Sequence, residues 1–147
     1  MASNLVEVVE AYFNSVNTGT IEQVARFIAD DFESMSPRGL LNKEGLLAAI
    51  SLQQTALPDF HVSLSDVEVA DNVVTATENV RGTHDGVLDL SLVNGPVIQP
   101  THKPIAFVMG RVQFTIVNGQ IVTAHDIMPP SPEVGVPGLL KQIGYIP

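Results

Sequence analysis

Hydrophobic positions along this chain change their period once, near residue 60. Before that point Leu5, Val8, Val9, Tyr12, Phe13 and Val16 recur three and four residues apart, with Glu7, Glu10 and Asn14 between them. This spacing predicts an amphipathic helix, closed by Asn17-Thr18-Gly19. Thr20 is placed to cap a second helix, with Gln23 as its capping-box partner. Ile21, Val24, Phe27, Ile28 and Phe32 form the stripe that this helix is expected to bury. SMSPRG reads as a loop from its Pro and Gly. A third helix is predicted over 42–56, capped by Asn42, burying Leu46, Leu47 and Ile50, and stopped by Pro58.

From Phe60 onward the period is two. Residues 61–69 alternate as one strand, and Ala70-Asp71-Asn72 turns into the next. That next stretch, NVVTATENVRGTHDG over 72–86, has two unlike faces. Val74, Ala76, Glu78, Val80, Gly82 and His84 share one side, and Val73, Thr75, Thr77, Asn79, Arg81 and Thr83 share the other. Residues 86–104 are irregular, rich in Gly, Pro and Asn, with room for short strand pieces. A long strand over 105–117 carries Ala106, Val108, Gly110, Val112, Phe114 and Ile116 on one face. Val117-Asn118-Gly119-Gln120 predicts a hairpin into a last strand over 120–128, whose even positions are Val122, Ala124, Asp126 and Met128. PPSPEVGVP is expected to be an extended loop, and GLLKQIGYIP to close with one helical turn. Three helices followed by a curved antiparallel sheet make one α+β domain over 1–147. A curved sheet wrapped round helices leaves a cone-shaped cavity suited to a small molecule.

Composition narrows the function. The net charge of −9 argues against phosphate-backbone binding, and no cluster of Lys and Arg opposes that. The chain has no Cys, which excludes disulfides and thiolate metal sites. His61, His84, His102 and His125 show no metal-ligand spacing, so no metal is expected. No apolar run of membrane-spanning length occurs, and MASNLVEVVEAY lacks the pattern of a signal peptide. A cytoplasmic protein with no nucleic-acid or membrane partner is the expectation.

Three polar side chains then stand out, because they share faces with apolar ones. Glu78 and His84 lie on the apolar side of 72–86, and Asp126 lies among Val122, Ala124 and Met128. Polar groups on such a face are costly to bury unless paired or put to use. One reading is a set of satisfied structural contacts. The other is a pocket wall in which Asp126, its pKa raised by burial, serves as general acid or base. A bulge in the last strand would instead turn His125 inward. Tyr12 is either a core residue or a hydrogen-bond donor to a developing enolate. Phe107, Val112 and Phe114 are the candidate apolar lining for the substrate.

These segments resemble the SnoaL-like polyketide cyclase family, within the nuclear transport factor 2-like (NTF2-like, cystatin-like) superfamily. VVEAYFNSVNTGTIEQVARFIADDF resembles the family's opening helix pair. LPDFHVSLSDVEVADNVVTATENVRGTHDG resembles its central hairpin, with the GTH-x-G ending at Gly82, Thr83, His84 and Gly86. QPTHKPIAF, NGQIVTAHD and GLLKQIG resemble a Pro-Thr-Gly-Lys turn, the final strand and the closing tail. The resemblance implies a cone-shaped α+β barrel, usually a homodimer, with no metal or organic cofactor. It implies aldol-type ring closure of a polyketide ester, with the Asp of the last strand, here Asp126, as acid/base. The family's His on the preceding strand has no counterpart in FVMGRVQFTI, which makes His84 the candidate catalytic partner. The first helix also resembles ketosteroid isomerase, with Tyr12 at the oxyanion-hole Tyr. That enzyme's basic Asp-Pro pair is Ser36-Pro37 here, which argues against steroid isomerisation.

The expected function is therefore cofactor-free acid/base chemistry, ring closure or isomerisation, on a small apolar carbonyl compound of polyketide type. Asp126 and His84 would carry the chemistry, and Tyr12, Glu78, Phe107, Val112 and Phe114 would hold the substrate. The alternative is a non-catalytic module of the same fold that binds a small molecule or dimerises.

Overall fold

Strand pairing begins earlier in the chain than the hydrophobic pattern predicts. The computed structural model describes residues 2–36, 39–91, 95–127 and 135–144. Its elements are α1 (Ala2–Thr18), α2 (Ile21–Ala25), β1 (Ile28–Ser36), β2 (Gly39–Asn42), α3 (Lys43–Ala56), β3 (His61–Ala70), β4 (Val73–Thr83), β5 (Leu88–Asp89), β6 (Val97–Ile98), β7 (Pro104–Val117), β8 (Gln120–Asp126) and α4 (Gly135–Gln142). One six-stranded sheet has the order β2-β1-β8-β7-β4-β3, and β5 pairs with β6 apart from it. Every pairing is antiparallel except β1 with β8, which is parallel.

The second predicted helix is thus corrected. It stops at Ala25, and Ile28 and Phe32 are buried as strand residues. Their spacing of four fits a helical stripe, but it equally puts both on one face of a strand, where alternate residues share a side. What decides the matter is a partner far along the chain: Ile28 lies beside Ile121, and the Ile121 amide donates to the Phe27 carbonyl at 2.7 Å. Non-local pairing of this kind overrides local period.

The loop expected over SMSPRG is corrected as well, for Ser34, Met35 and Ser36 belong to β1 and Gly39 to β2. The cap and turn signals hold. Thr20 and Gln23 form the reciprocal capping box, at 2.9 and 3.3 Å. Asn42 Oδ1 accepts from the Gly45 amide at 2.9 Å and starts α3. Asn118 and Gly119 have φ of 53° and 77°, the left-handed pair that a two-residue hairpin needs. In the tail, 135–137 belong to α4 rather than to a loop, while 128–134, with Met128 and Pro129, lie outside the described residues. Pro37, the second half of the Ser36-Pro37 pair, lies outside them too.

The sheet bends because β3, β7 and β8 each carry a bulge. Each extra residue reverses which parity faces the helices. In β7, Ile105 and Phe107 are buried before the bulge, and Gly110, Val112, Phe114 and Ile116 after it. The expected single even face is corrected accordingly, for Ala106 is exposed. In β8 the bulge makes Ile121, not Val122, the buried partner of Ile116. Side-chain amides finish the sheet where backbone edges would stay bare. Asn17 of α1 bonds both the amide and the carbonyl of Val62, at 2.8 and 3.0 Å. Gln142 of α4 does the same for Ala106, just beyond the end of β8. The concave face is filled by α1, α3 and α4, with Phe13 edge-on to Phe114 at 5.8 Å between ring centres.

Candidate functional site

Glu78, Gly110 and Asp126 form a row across three adjacent strands. Glu78 of β4 lies directly opposite Gly110 of β7, at the bulge. Asp126 of β8 lies opposite Val112, the next inward position of β7. Gly110 has no side chain, and a Cβ built there would come within 2.9 Å of Asp126 Oδ1. The Asp126 carboxylate therefore leans over the gap that this glycine leaves, on the side from which Glu78 approaches.

The two carboxyls differ in environment. Asp126 is exposed, which corrects the expectation of an acid sunk in an apolar wall. Glu78 is partly buried. Burial, and then the negative charge of Asp126, push the Glu78 carboxyl up to about 8. Tyr12 of α1 is 5% exposed. Burial, with the Glu78 charge adding to it, raises its phenol well above the ordinary 10.0, so it remains a neutral O–H donor. Glu78 thus links the two, acted on by the Asp126 charge and acting in turn on the Tyr12 phenol. Val112 and Phe114 are buried on one side of the β7 bulge, and Phe107 is buried on the other. His125 pairs with Gln113, and both are exposed, so the β8 bulge leaves His125 outward and Asp126 inward.

His84 does not join this group. Through Val112, Asp126 is level with Ala76, and His84 lies eight residues further along the same chain direction. At about 3.3 Å per residue that is about 25 Å, beyond any direct contact. His84 is fully buried. Its Nδ1 lies 2.9 Å from Thr101 Oγ1 and accepts from the Thr101 amide at 3.3 Å. Its backbone bonds to Lys103 and His102 at 3.0 and 2.8 Å. Burial, then the nearby His102, lower its pKa and keep the ring neutral. The rest of the GTH-x-G segment works in the same joint. Thr83 donates to Asp59 from its amide at 2.6 Å and its hydroxyl at 3.0 Å. A Cβ on Gly86 would fall 1.9 Å from the Thr55 carbonyl oxygen, so only glycine lets the chain pass the end of α3.

Sequence reasoning missed Gly110. Its only signal was a glycine in the middle of a long strand, which marks a bulge or a close approach. Among the described residues, no group of three or more His, Cys, Asp or Glu is arranged to hold a metal ion. No described helix is long and apolar enough to cross a membrane.

Helices held in the hollow of a bent six-stranded sheet, with carboxyls on the concave side, define the α+β cone class of small-molecule proteins. A family model for SnoaL-like polyketide cyclase matches residues 6–128, and the chain belongs to that family. Solved structures agree on the fold. AclR from Streptomyces galilaeus, provisionally assigned as a hydroxylase, superposes with a TM-score of 0.80 at 16% identity, covering 100% of this chain and 85% of its own. A protein from Jannaschia sp. CCS1, classed as a SnoaL-like polyketide cyclase, gives 0.75 at 16% identity, with 99% and 95% covered. TsrD from Streptomyces laurentii gives 0.76 at 18% identity, with 99% and 98% covered. Among curated proteins no sequence match was found.

Proposed function

We propose that this protein is a cofactor-free acid–base enzyme of the polyketide cyclase type, acting on a small apolar carbonyl compound. The observation that carries this reading is the Asp126 carboxylate on the concave side of β8, within electrostatic reach of the carboxyl that in turn acts on the Tyr12 phenol. In the reaction, Asp126 takes a proton from the carbon next to a carbonyl. The Tyr12 O–H donates to the enolate oxygen as charge develops there. In ring closure, the enolate carbon then forms a bond to a second carbonyl carbon of the same molecule, and the proton held on Asp126 passes to the new alkoxide. In isomerisation the same proton returns to a different carbon. Val112 and Phe114, with Phe107, supply the apolar wall that keeps water from competing. His84 has no part in this scheme, given its distance.

The working form we propose is a homodimer in the cytoplasm, joined through the outer sheet face. Met35 and Leu40 share the face of His125 and are 50% and 63% exposed. Apolar side chains left in water on a polar face support a covered surface. Sedimentation at micromolar concentration tests this, and a monomer alone would count against it.

The test of the enzyme reading is Asp126→Asn, assayed on polyketide-type esters that bear two carbonyls. A large loss of turnover with unchanged melting supports it. Unchanged turnover would leave the fold as a non-catalytic binding module.

A further inference from the structure

We propose that Glu78 is the second proton-carrying group of this site, facing Asp126 across the bare backbone of Gly110, and that Gly110 is the positioning residue that makes the pair. The inference rests on the acid–base reading above and adds to it a donor that a lone Asp does not supply.

Three geometric facts converge. Glu78 and Gly110 are direct partners across β4 and β7, so nothing from β7 stands between Glu78 and the β8 side. Asp126 Oδ1 occupies the space that any side chain at 110 would fill. The bulge that brings this about falls at Glu78 and nowhere else in the β4–β7 ladder. Bulges re-aim side chains, and here the re-aimed position is the one opposite a carboxyl.

The charged and titratable neighbours define what the pair does. α1 contributes Tyr12, and β8 contributes Asp126. β3 contributes Leu64 and β7 contributes Gly110 as direct partners of Glu78, and neither carries charge. Arg111 is engaged elsewhere, donating to Thr77 Oγ1 at 3.0 Å and lying 3.4 Å from Glu68 Oε2. Lys141 of α4 is exposed. Two carboxyls facing each other do not both ionise readily. The partly buried member, Glu78, is the one held protonated, by burial and then by the negative charge of Asp126. In a reaction cycle Asp126 then accepts the carbon-bound proton, while Glu78 offers an O–H to the substrate oxygen beside that of Tyr12. The Glu78 proton returns to Glu78 when the product oxygen is protonated by Asp126, so the protons balance over one turnover. The substrate this selects is one whose acidic C–H and adjacent carbonyl oxygen meet two carboxyls that reach from β4 and β8 over the backbone of β7.

The test is carbon-detected NMR titration of the Glu78 side-chain carboxyl in the full chain, with no ligand. In the unaltered protein the resonance should move with a midpoint near 8. In Asp126→Asn, which removes an exposed charge and keeps the shape, the midpoint should fall by about half a pH unit or more. Gly110→Ala, which pushes the Asp126 carboxylate away, should move it in the same direction. A midpoint near the ordinary 4.5, or one that Asp126→Asn leaves in place, overturns the pair. The acid–base reading fails separately, through turnover. A titrating pair with full turnover in Asp126→Asn would sink the function and keep the pair, and the reverse result would do the opposite.

Discussion

The centre of β4 and its C-terminal end carry the same sequence signal and do different work. Glu78, at the centre of β4, and His84, one residue past its end, fall six positions apart on the same apolar side of the stretch 72–86. At the end, the polar group is held through one ring nitrogen and its backbone, while His84 Nε2 is buried without a hydrogen-bond partner. The Thr101 amide and hydroxyl meet the His84 ring, Lys103 and His102 hold its backbone, and Asp59 holds Thr83. At the centre, the neighbours of Glu78 are a glycine, a second carboxyl and a phenol, and its charge is opposed rather than balanced. A buried polar group anchored through its ring and its backbone fastens a fold. One that is partly buried and electrostatically opposed stores a proton.

The sharpest way to break this contrast is at the two ends of the chemistry. Asp126→Asn should cost about 100- to 10,000-fold in turnover. Its melting temperature should stay where it is, since the side chain is exposed. His84→Ala should behave in the opposite way, losing about 2–4 kcal/mol of stability in denaturant titration. Its turnover per folded molecule should be kept. If His84→Ala instead abolished turnover in fully folded protein, the division of labour would be wrong.

Glu78→Gln sharpens the comparison through pH. The folded-state Glu78 carboxyl binds its proton more tightly than the unfolded one, at about 8 against 4.5. Its stabilising contribution is therefore complete below 4.5 and is lost as pH rises to 8, by up to about tenfold in the folding constant per pH unit. Urea midpoints measured across that window should fall in the unaltered protein and flatten in Glu78→Gln. At the other end of β4 the sign reverses. The Thr83 backbone bond, chiefly, holds the Asp59 carboxyl below its ordinary 3.8, so that contribution is present at neutral pH and lost as pH falls through the acid range. Asp59→Ala should cost about 1 kcal/mol at neutral pH, the smallest effect of the series, and nothing further in acid.

Much of the fold was legible because its signals are local. The periodicity of α1, the capping box at Thr20, the Asn42 cap and the Asn118-Gly119 turn depend on residues within four positions of one another. The α+β class and the inward parity of Glu78 and His84 followed from the same short-range rules. What failed was local evidence with a non-local answer. Ile28 and Phe32 sit at helical spacing, yet β1 is a strand because Ile121 lies beside it, more than 90 residues later. Parity in β7 and β8 held only as far as the next bulge.

By itself the sequence determined which residues are polar on apolar faces, because alternation along a strand is covalent in origin. It could not say which of them meet. Whether Asp126 pairs with Glu78 or with His84 depends on strand order and register. Those are set by contacts between β4, β7 and β8, and by a glycine whose missing side chain matters only once a carboxylate from the next strand fills its place. A charge needs a neighbour in space to acquire a role, and only the tertiary structure supplies the neighbour.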